Sequence, residues 1–192
     1  MGTVKSLLLG MCFVLGACTS QTSTVQTTEK GTRWEWQNGT IVVKTPERPA
    51  GQKSVLGLTT PKLEAVRVGF VGLGMRGPGA VERFTYIPGT QVVALCDYEE
   101  ARADKCQELL KKASMPKAAV YSGDKGYEEL CKRDDIDLVY VAADWLHHFP
   151  VAKCALENGK NVAIEVPSAM NLQECWDLIN LSESTRKHCF IL

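Results

Sequence analysis

A doubly wound α/β fold, with a parallel sheet covered by helices on both faces, is what this sequence predicts, on three observations. From Val66 onward, short apolar runs alternate with segments of helical period, the pattern of repeated strand–helix units joined by right-handed crossovers. Runs such as Val92-Val-Ala-Leu-Cys96 and Leu138-Val-Tyr-Val-Ala142 are apolar without alternation, as strands buried on both faces must be. The first run, ending at Val71, feeds a glycine-rich turn that opens a helix.

Composition sets the outer bounds. The chain has 192 residues, 45% hydrophobic and 23% charged, with formal net charge +0, which is ordinary globular composition. Charge balance gives no footing for nucleic-acid binding. The 8 cysteines contain no CxxC pair, and with 3 histidines a zinc cluster is not expected. Cys96 falls in an apolar run, and Cys106, Cys131, Cys154 and Cys175 fall in expected helices. They read as buried or half-buried free thiols.

The leading end is of another kind. Lys5 precedes an apolar stretch from Ser6 to Gly16, too short to span a bilayer and of signal-peptide pattern. It ends in Leu15-Gly-Ala-Cys18, which resembles a bacterial lipobox. The expectation is a signal peptide over 1–17, lipidation of Cys18, and a chain held in the bacterial cell envelope by its lipid, periplasmic or surface-facing. Residues 18–65 are expected to be a spacer and arm, and 66–192 the folded domain. Residues 19–33, rich in Thr, Ser and Gln, read as a flexible linker. Trp34 to Val43, with Asn38-Gly39 at its centre, reads either as a hairpin or as an extended arm whose tryptophans pack on the domain. Residues 44–65 form a loop-rich lead-in containing Pro46, Pro49, Gly51, Gly57 and Pro61.

Within the domain, strands are expected at 66–71, 91–96, 119–121, 137–142 and 161–165, with a sixth starting at Cys189. Helices are expected at about 76–86, 99–113, 125–132, 147–158 and 172–186. Ala103, Cys106, Leu109 and Leu110 fall on one side of the second helix, with charges opposite. Asp124 and Asn171 stand where N-caps belong, and Gly159 where a helix ends. Almost nothing follows the sixth strand, so the sequence is expected to be a fragment or a truncated gene product.

Three clusters carry chemistry. Gly72-Leu-Gly74-Met-Arg-Gly77 follows a strand and opens a helix. Gly72 permits the tight turn, Gly74 leaves room for a pyrophosphate at the backbone, and Gly77 lets helix and strand pack closely. Asp97 ends the second strand, about 20 residues beyond Gly77, where a carboxylate accepts from the adenosine ribose hydroxyls and favours NAD over NADP. The plainer reading of Asp97 is a cap for the helix from Glu99. Arg76 reads as a phosphate partner or a solvated arginine. The second cluster, Asp144-Trp145-Leu-His147-His148, follows the fourth strand, at the strand ends where such sheets take ligands. Trp145 is placed to pack along the nicotinamide ribose and either histidine to hydrogen-bond it; surface or helix-capping roles are the alternative. The third is Glu165-Val166-Pro167 at the end of the fifth strand, with Glu165 near the nicotinamide or capping the next helix.

In this order and spacing the clusters resemble the glucose-fructose oxidoreductase, inositol dehydrogenase and rhizopine-catabolism (Gfo/Idh/MocA) family, over residues 66–192. Its fifth strand commonly ends Glu-Lys-Pro, with the lysine assisting hydride transfer; here the lysine position is Val166. With that departure and the lipobox, the sequence looks like glycoside hydrolase family 109, whose members are NAD-dependent α-N-acetylgalactosaminidases. That resemblance implies a Rossmann domain that binds NAD, and a C-terminal α+β domain missing from this chain. It implies a redox-assisted cleavage of a glycan or glycoconjugate: oxidation at C3, elimination of the aglycone, addition of water, and return of the hydride. It places Gly74, Met75, Arg76, Asp97, Trp145, Leu146, His147, His148, Glu165 and Val166 along the NAD site, and the catalytic tyrosine and histidine beyond position 192. Two other readings stand beside it, a secreted NAD-dependent sugar oxidoreductase and a non-catalytic NAD-binding module. A homo-oligomer is compatible with each.

Overall fold

A computed structural model of the chain describes residues 26–27, 33–43 and 45–192. The expected signal peptide (1–17), Cys18 and most of the expected spacer lie outside the described residues. No helix among the described residues is long and apolar enough to cross a membrane. The chain divides into two compact units, Met1–Lys44 and Thr45–Leu192.

In the first unit, strands β1 (Gln26–Thr27), β2 (Arg33–Gln37) and β3 (Thr40–Val43) form an antiparallel sheet in that order. Of the two readings of residues 34–43, the hairpin is the one observed. Asn38 (φ 49°) and Gly39 (φ 77°) both take positive φ, as the two-residue turn that matches strand twist requires. Trp34 and Trp36 meet edge to face at 6.4 Å. The third strand, β1, was not expected: two residues carry too little pattern to be seen.

The second unit alternates β4 (Val66–Val71), α1 (Gly77–Phe84), β5 (Thr90–Asp97), α2 (Glu100–Lys112), β6 (Ala119–Ser122), α3 (Gly126–Cys131), β7 (Leu138–Val141), α4 (Trp145–Glu157), β8 (Asn161–Ile164), α5 (Leu172–Thr185) and β9 (Cys189–Ile191). The sheet is parallel throughout, in the order β6-β5-β4-β7-β8-β9. The chain therefore winds outward from β4 in one direction, then returns to β7 and winds in the other. The reversal lies between β4 and β7.

Two cores cover the two faces. Val68, Phe70 and Tyr140 pack with Ala80 and Val81 of α1 and with Ala103, Cys106 and Leu110 of α2. Val71, Val139, Val141 and Ile164 pack with Leu130 of α3, with Val151, Ala152, Ala155 and Leu156 of α4, and with Leu178 of α5. Phe70, Phe84 and Tyr140 form a ring cluster with centroids 5.2 to 5.8 Å apart, each pair contributing about 1 kcal/mol beyond its buried area. The register of β4 on β5 shifts between Val68 and Gly69 and skips Val93, so Val92 and Leu95 share a face.

Local signals explain most boundaries. Asn171 caps α5, accepting from the Glu174 N–H at 3.1 Å, and Gly159 follows α4 with φ 72°. Asp124 is not the cap of α3: Lys125 holds that place, with no side-chain cap. The fourth helix begins at Trp145, two residues before the expected start, because Asp144 caps it. Among the described residues the thiols are buried or half-buried except Cys175, which is exposed in the first turn of α5, ahead of its first buried residue, Leu178. The lead-in is strapped to α5. Arg48 donates from Nε and Nη2 to the buried Glu183 at 2.8 and 3.0 Å, and Gln52 adds a third bond at 2.9 Å. Arg186 Nη1 donates to the carbonyls of Lys53 and Ser54.

Candidate functional site: a cleft at the strand ends

A parallel sheet presents its loops at the carboxyl ends of its strands, and a crevice opens where the order reverses. Here a cleft of about 780 Å³ opens at that point. The loops after β4 and β7 form its centre, with the ends of β5 and β8 beside them.

The three glycines of the first loop do different work. Gly72 bends the chain at φ 90°, and a Cβ there would lie 2.3 Å from the Ala143 backbone N. It is required both by its conformation and by contact with the loop after β7. A Cβ on Gly77 would lie 2.1 Å from the Gly72 carbonyl oxygen, so this glycine seats α1 against the bend and does not border the cleft. Gly74 is open: its Cβ would meet only Arg102 Nη1, at 3.5 Å. The notch therefore faces the cleft. Gly74, Met75 and Arg76 line it, with Met75 fully extended into solvent. Helix α1 starts there with no side-chain cap and no acid in its first turn; Pro78 has no N–H, so Gly77 and Gly79 are the first-turn residues whose N–H groups are left for an anion.

Asp97 does more than either reading of the sequence anticipated. It is 5% exposed, and its Oδ2 accepts from the Leu73 N–H at 2.6 Å. Its Oδ1 accepts from the Glu99 N–H at 3.0 Å, with Arg102 Nη1 at 3.4 Å. The carboxylate thus ties the glycine bend to the start of α2 while still bordering the cleft.

Across the reversal, Asp144 organises the loop after β7. Oδ1 accepts from the Leu146 N–H at 3.0 Å, and Oδ2 pairs with His147 Nδ1 at 2.6 Å. Burial opposes the Asp144 charge, but His147 and the two backbone N–H groups outweigh it and hold the carboxyl below its ordinary value. Trp145 and His147 are exposed and line the cleft; Leu146 is exposed and does not. His148 is 1% exposed. Its Nδ1 lies 2.7 Å from the Pro167 carbonyl oxygen, which can only accept, so Nδ1 carries the proton. In the neutral ring Nε2 is then a buried acceptor without a partner, in a residue that lines the cleft. Glu165 and Val166 close this end, with Val166 well exposed.

Several lining or supporting residues were not anticipated. Tyr140 donates its hydroxyl to Glu165 Oε1 at 2.9 Å; burial first, then that carboxylate, push the phenol above its usual value. Arg102 stands over the Gly74 notch, and Tyr98 and Tyr127 line the far end beyond Asp97. Arg102 and Tyr98 had a sequence signal, their places just after Asp97. Tyr127 and Tyr140 came into place through sheet order.

The residues fit a dinucleotide. A notch that a side chain would fill, an uncapped helix start beside it, and an orphaned buried acceptor at the other end answer a pyrophosphate and a hydroxyl or amide donor in turn.

Comparison with known proteins agrees. The chain is 79% identical over 193 residues to glycosyl hydrolase family 109 protein 4 of Phocaeicola vulgatus, covering 100% of this chain and 37% of that protein. It is 56% identical over 190 residues to a family 109 protein of Bacteroides thetaiotaomicron, covering 98% of this chain and 39% of that one. The chain thus spans well under half the length of the curated relatives it matches. Among solved structures, a Lactobacillus casei myo-inositol dehydrogenase in complex with NAD(H) and myo-inositol superposes with TM-score 0.55 at 26% identity, over 62% of this chain and 34% of that one. A biliverdin reductase from Synechocystis, in complex with biliverdin and NADP+, gives TM-score 0.56 at 26% identity, over 66% and 37%. Residues 66–192 match the Gfo/Idh/MocA model, and the chain belongs to this oxidoreductase family, with its NAD-binding Rossmann fold.

Proposed function

We propose that this chain is the NAD-holding part of an envelope glycosidase that releases terminal α-N-acetylgalactosamine from glycans or glycoconjugates. The observation that carries the reading is Val166. It stands exposed on the cleft between Glu165 and Pro167, where a proton-carrying lysine would serve direct dehydrogenation of a sugar. Valine supports a use of NAD in which no net oxidation occurs. The high identity to proteins named for family 109 supports the same choice.

The residues would act as follows. Gly74 leaves the backbone bare for the pyrophosphate, and the first N–H groups of α1 face it. Asp97 accepts from the adenosine ribose hydroxyls with the lone pairs that Leu73 and Glu99 leave free. His148 Nε2 accepts from a ribose hydroxyl or the carboxamide N–H. Trp145 covers the nicotinamide ribose, and Glu165, held by Tyr140, borders the ring. Bound NAD supplies reversible hydride acceptance, which acidifies the sugar position next to the oxidised carbon. The proton carriers and sugar contacts belong to protein beyond position 192. We place the whole protein in the cell envelope, held by lipid on Cys18.

Titration of this chain with NAD should show one binding site. The longer gene product should then release the aryl group from an aryl α-N-acetylgalactosaminide with no net NADH. Net NADH formation from a free sugar would instead assign a sugar oxidoreductase. NAD binding without either activity in the longer product would leave a binding module. Intact-mass analysis of the native protein should find a lipidated Cys18 as its first residue; an unmodified N-terminus elsewhere would remove the anchor.

A further inference from the structure

We propose that the small sheet of the first unit lies on the lipid surface, with Trp34, Trp36, Ile41 and Val43 seated at the headgroup layer. This inference rests on the lipid at Cys18 proposed above, and adds to it a second contact with the bilayer.

The register of the sheet gathers these four side chains. Successive residues of a strand point to opposite faces, and residues paired across two strands share a face. Trp34 pairs with Val43 and Trp36 with Ile41, so all four fall on one face of β2 and β3. The two indole rings meet edge to face. No charged residue stands among the four positions. The opposite face takes Glu35, Gln37 and Thr40, with Val42 the one apolar residue among them, and there Gln37 Nε2 donates to Glu35 Oε1. On the apolar face Trp36 is 54% exposed and Ile41 52%, with Trp34 and Val43 half-buried.

A sheet of three short strands is marginal in water unless its apolar face is covered. The length of chain ahead of it points to the cover. Cys18 stands 8 residues before Gln26, the first residue of β1, and that length reaches at most about 29 Å when fully extended. A lipid on Cys18 therefore keeps the sheet beside the bilayer. Membrane binding scales with buried apolar area, and four side chains are too few to hold a free protein. Behind a short tether the same contact becomes intramolecular, at an effective concentration on the order of mM, and the face adheres. Tryptophan fits this layer, because its ring is apolar and its Nε1–H finds acceptors among the headgroups. The face brings no charge that would have to lose its water, while Glu35 stays on the wet side. A lipid alone would leave the sheet free to turn; the lipid and the aromatic face together fix which side meets the membrane.

The native lipidated protein, reconstituted in vesicles of phosphatidylethanolamine and phosphatidylglycerol, decides the matter by fluorescence. Intact mass and vesicle flotation first establish the anchor. Lipids brominated near the top of the acyl chain then quench tryptophans seated in the bilayer surface. Trp34 and Trp36 are two of the 4 tryptophans, so up to about half of the emission should be lost. The loss should vanish in the double variant Trp34→Phe and Trp36→Phe, where Trp145 and Trp176 remain as reporters. It should vanish also in Ile41→Glu, which places a charge on the face, although both variants still float. Protein that floats with its lipid but is not quenched would overturn the proposal and leave the anchor standing. An unlipidated N-terminus without flotation would remove the anchor and this contact with it. Unquenched dimers in the floated protein that Ile41→Glu splits would assign the face to a second copy of the chain and overturn the proposal. The unsubstituted protein gives the deciding signal, so a variant that fails to fold does not blunt the test.

Discussion

The two halves of the cleft are built on opposite plans. On the β4–β5 half the protein satisfies its own carboxylate and leaves only the start of α1 uncapped. Asp97 is buried and spends both oxygens on the glycine bend and the start of α2, and at Gly72 and Gly77 backbone fills the place a Cβ would take. On the β7–β8 half, a buried imidazole nitrogen is left without a partner, and Trp145 and Val166 stand exposed. The first half is rigid before any ligand arrives; the second keeps an unmet demand that a ligand must fill. Substitutions at Gly72, Gly77 and Asp97 should therefore damage fold and binding together, and those at the open Gly74 or in the second half should separate them.

Gly72→Val gives the largest expected effect. Its side chain would enter the Ala142–Ala143 backbone, so stability should fall by about 3 kcal/mol or more and NAD binding should vanish. Its counterpart is Gly74→Val, whose side chain enters open cleft: denaturant unfolding should move by less than about 0.5 kcal/mol while NAD-induced stabilisation is lost. If both variants behave alike, the division between the glycines is wrong.

Asp97→Ala comes next. It leaves the Leu73 and Glu99 N–H groups unpaired, so stability should drop by about 1–3 kcal/mol and NAD affinity should fall with it. A loss of affinity at unchanged stability would reduce Asp97 to a ligand contact. Tyr140→Phe probes the other half. It frees Glu165 at a cost of about 1 kcal/mol in NAD affinity, near fivefold, read by calorimetry, with stability nearly unchanged.

The smallest effect lies at the far end of the sheet. Asp137 accepts from the Arg67 backbone N–H and, in a fork, from its guanidinium at 2.7 and 2.9 Å. The Arg67 side-chain bonds, against burial, hold its carboxyl below the ordinary value. Its stabilisation is therefore complete above the unfolded carboxyl value near 4 and is lost as pH falls through the lower folded value, worth about 1 kcal/mol for so exposed a pair. Asp137→Asn should flatten the acid side of the stability–pH curve and leave NAD affinity alone, since it is remote from the cleft.

Much of this was legible in the residues, and the reasons differ by element. Apolar runs without alternation announce strands because both faces of a parallel sheet are covered, so β4, β5 and β7 could be placed closely. Asn38-Gly39 marked its turn because few other pairs tolerate two positive φ values. The start of α4 was missed because Trp145 and Leu146 are poor markers of a first turn and the cap, Asp144, had been read for its chemistry. The Tyr140–Glu165 bond was invisible because it depends on register: β7 pairs Tyr140 with Ala163, which brings a residue 25 positions away within reach. The second role of Asp97 was hidden for a like reason, since the Leu73 N–H reaches it only when the bend and strand β5 lie side by side.

The strap on α5 has a mechanical consequence. Arg48, Gln52 and Arg186 fasten the lead-in to a helix on the outer flank of the fold, well before the chain enters β4. Tension on the chain ahead of Arg48 would be borne by the Arg48–Glu183 clasp and spread into α5. The bend that begins at Gly72 would be spared the load, and the cleft would keep its shape.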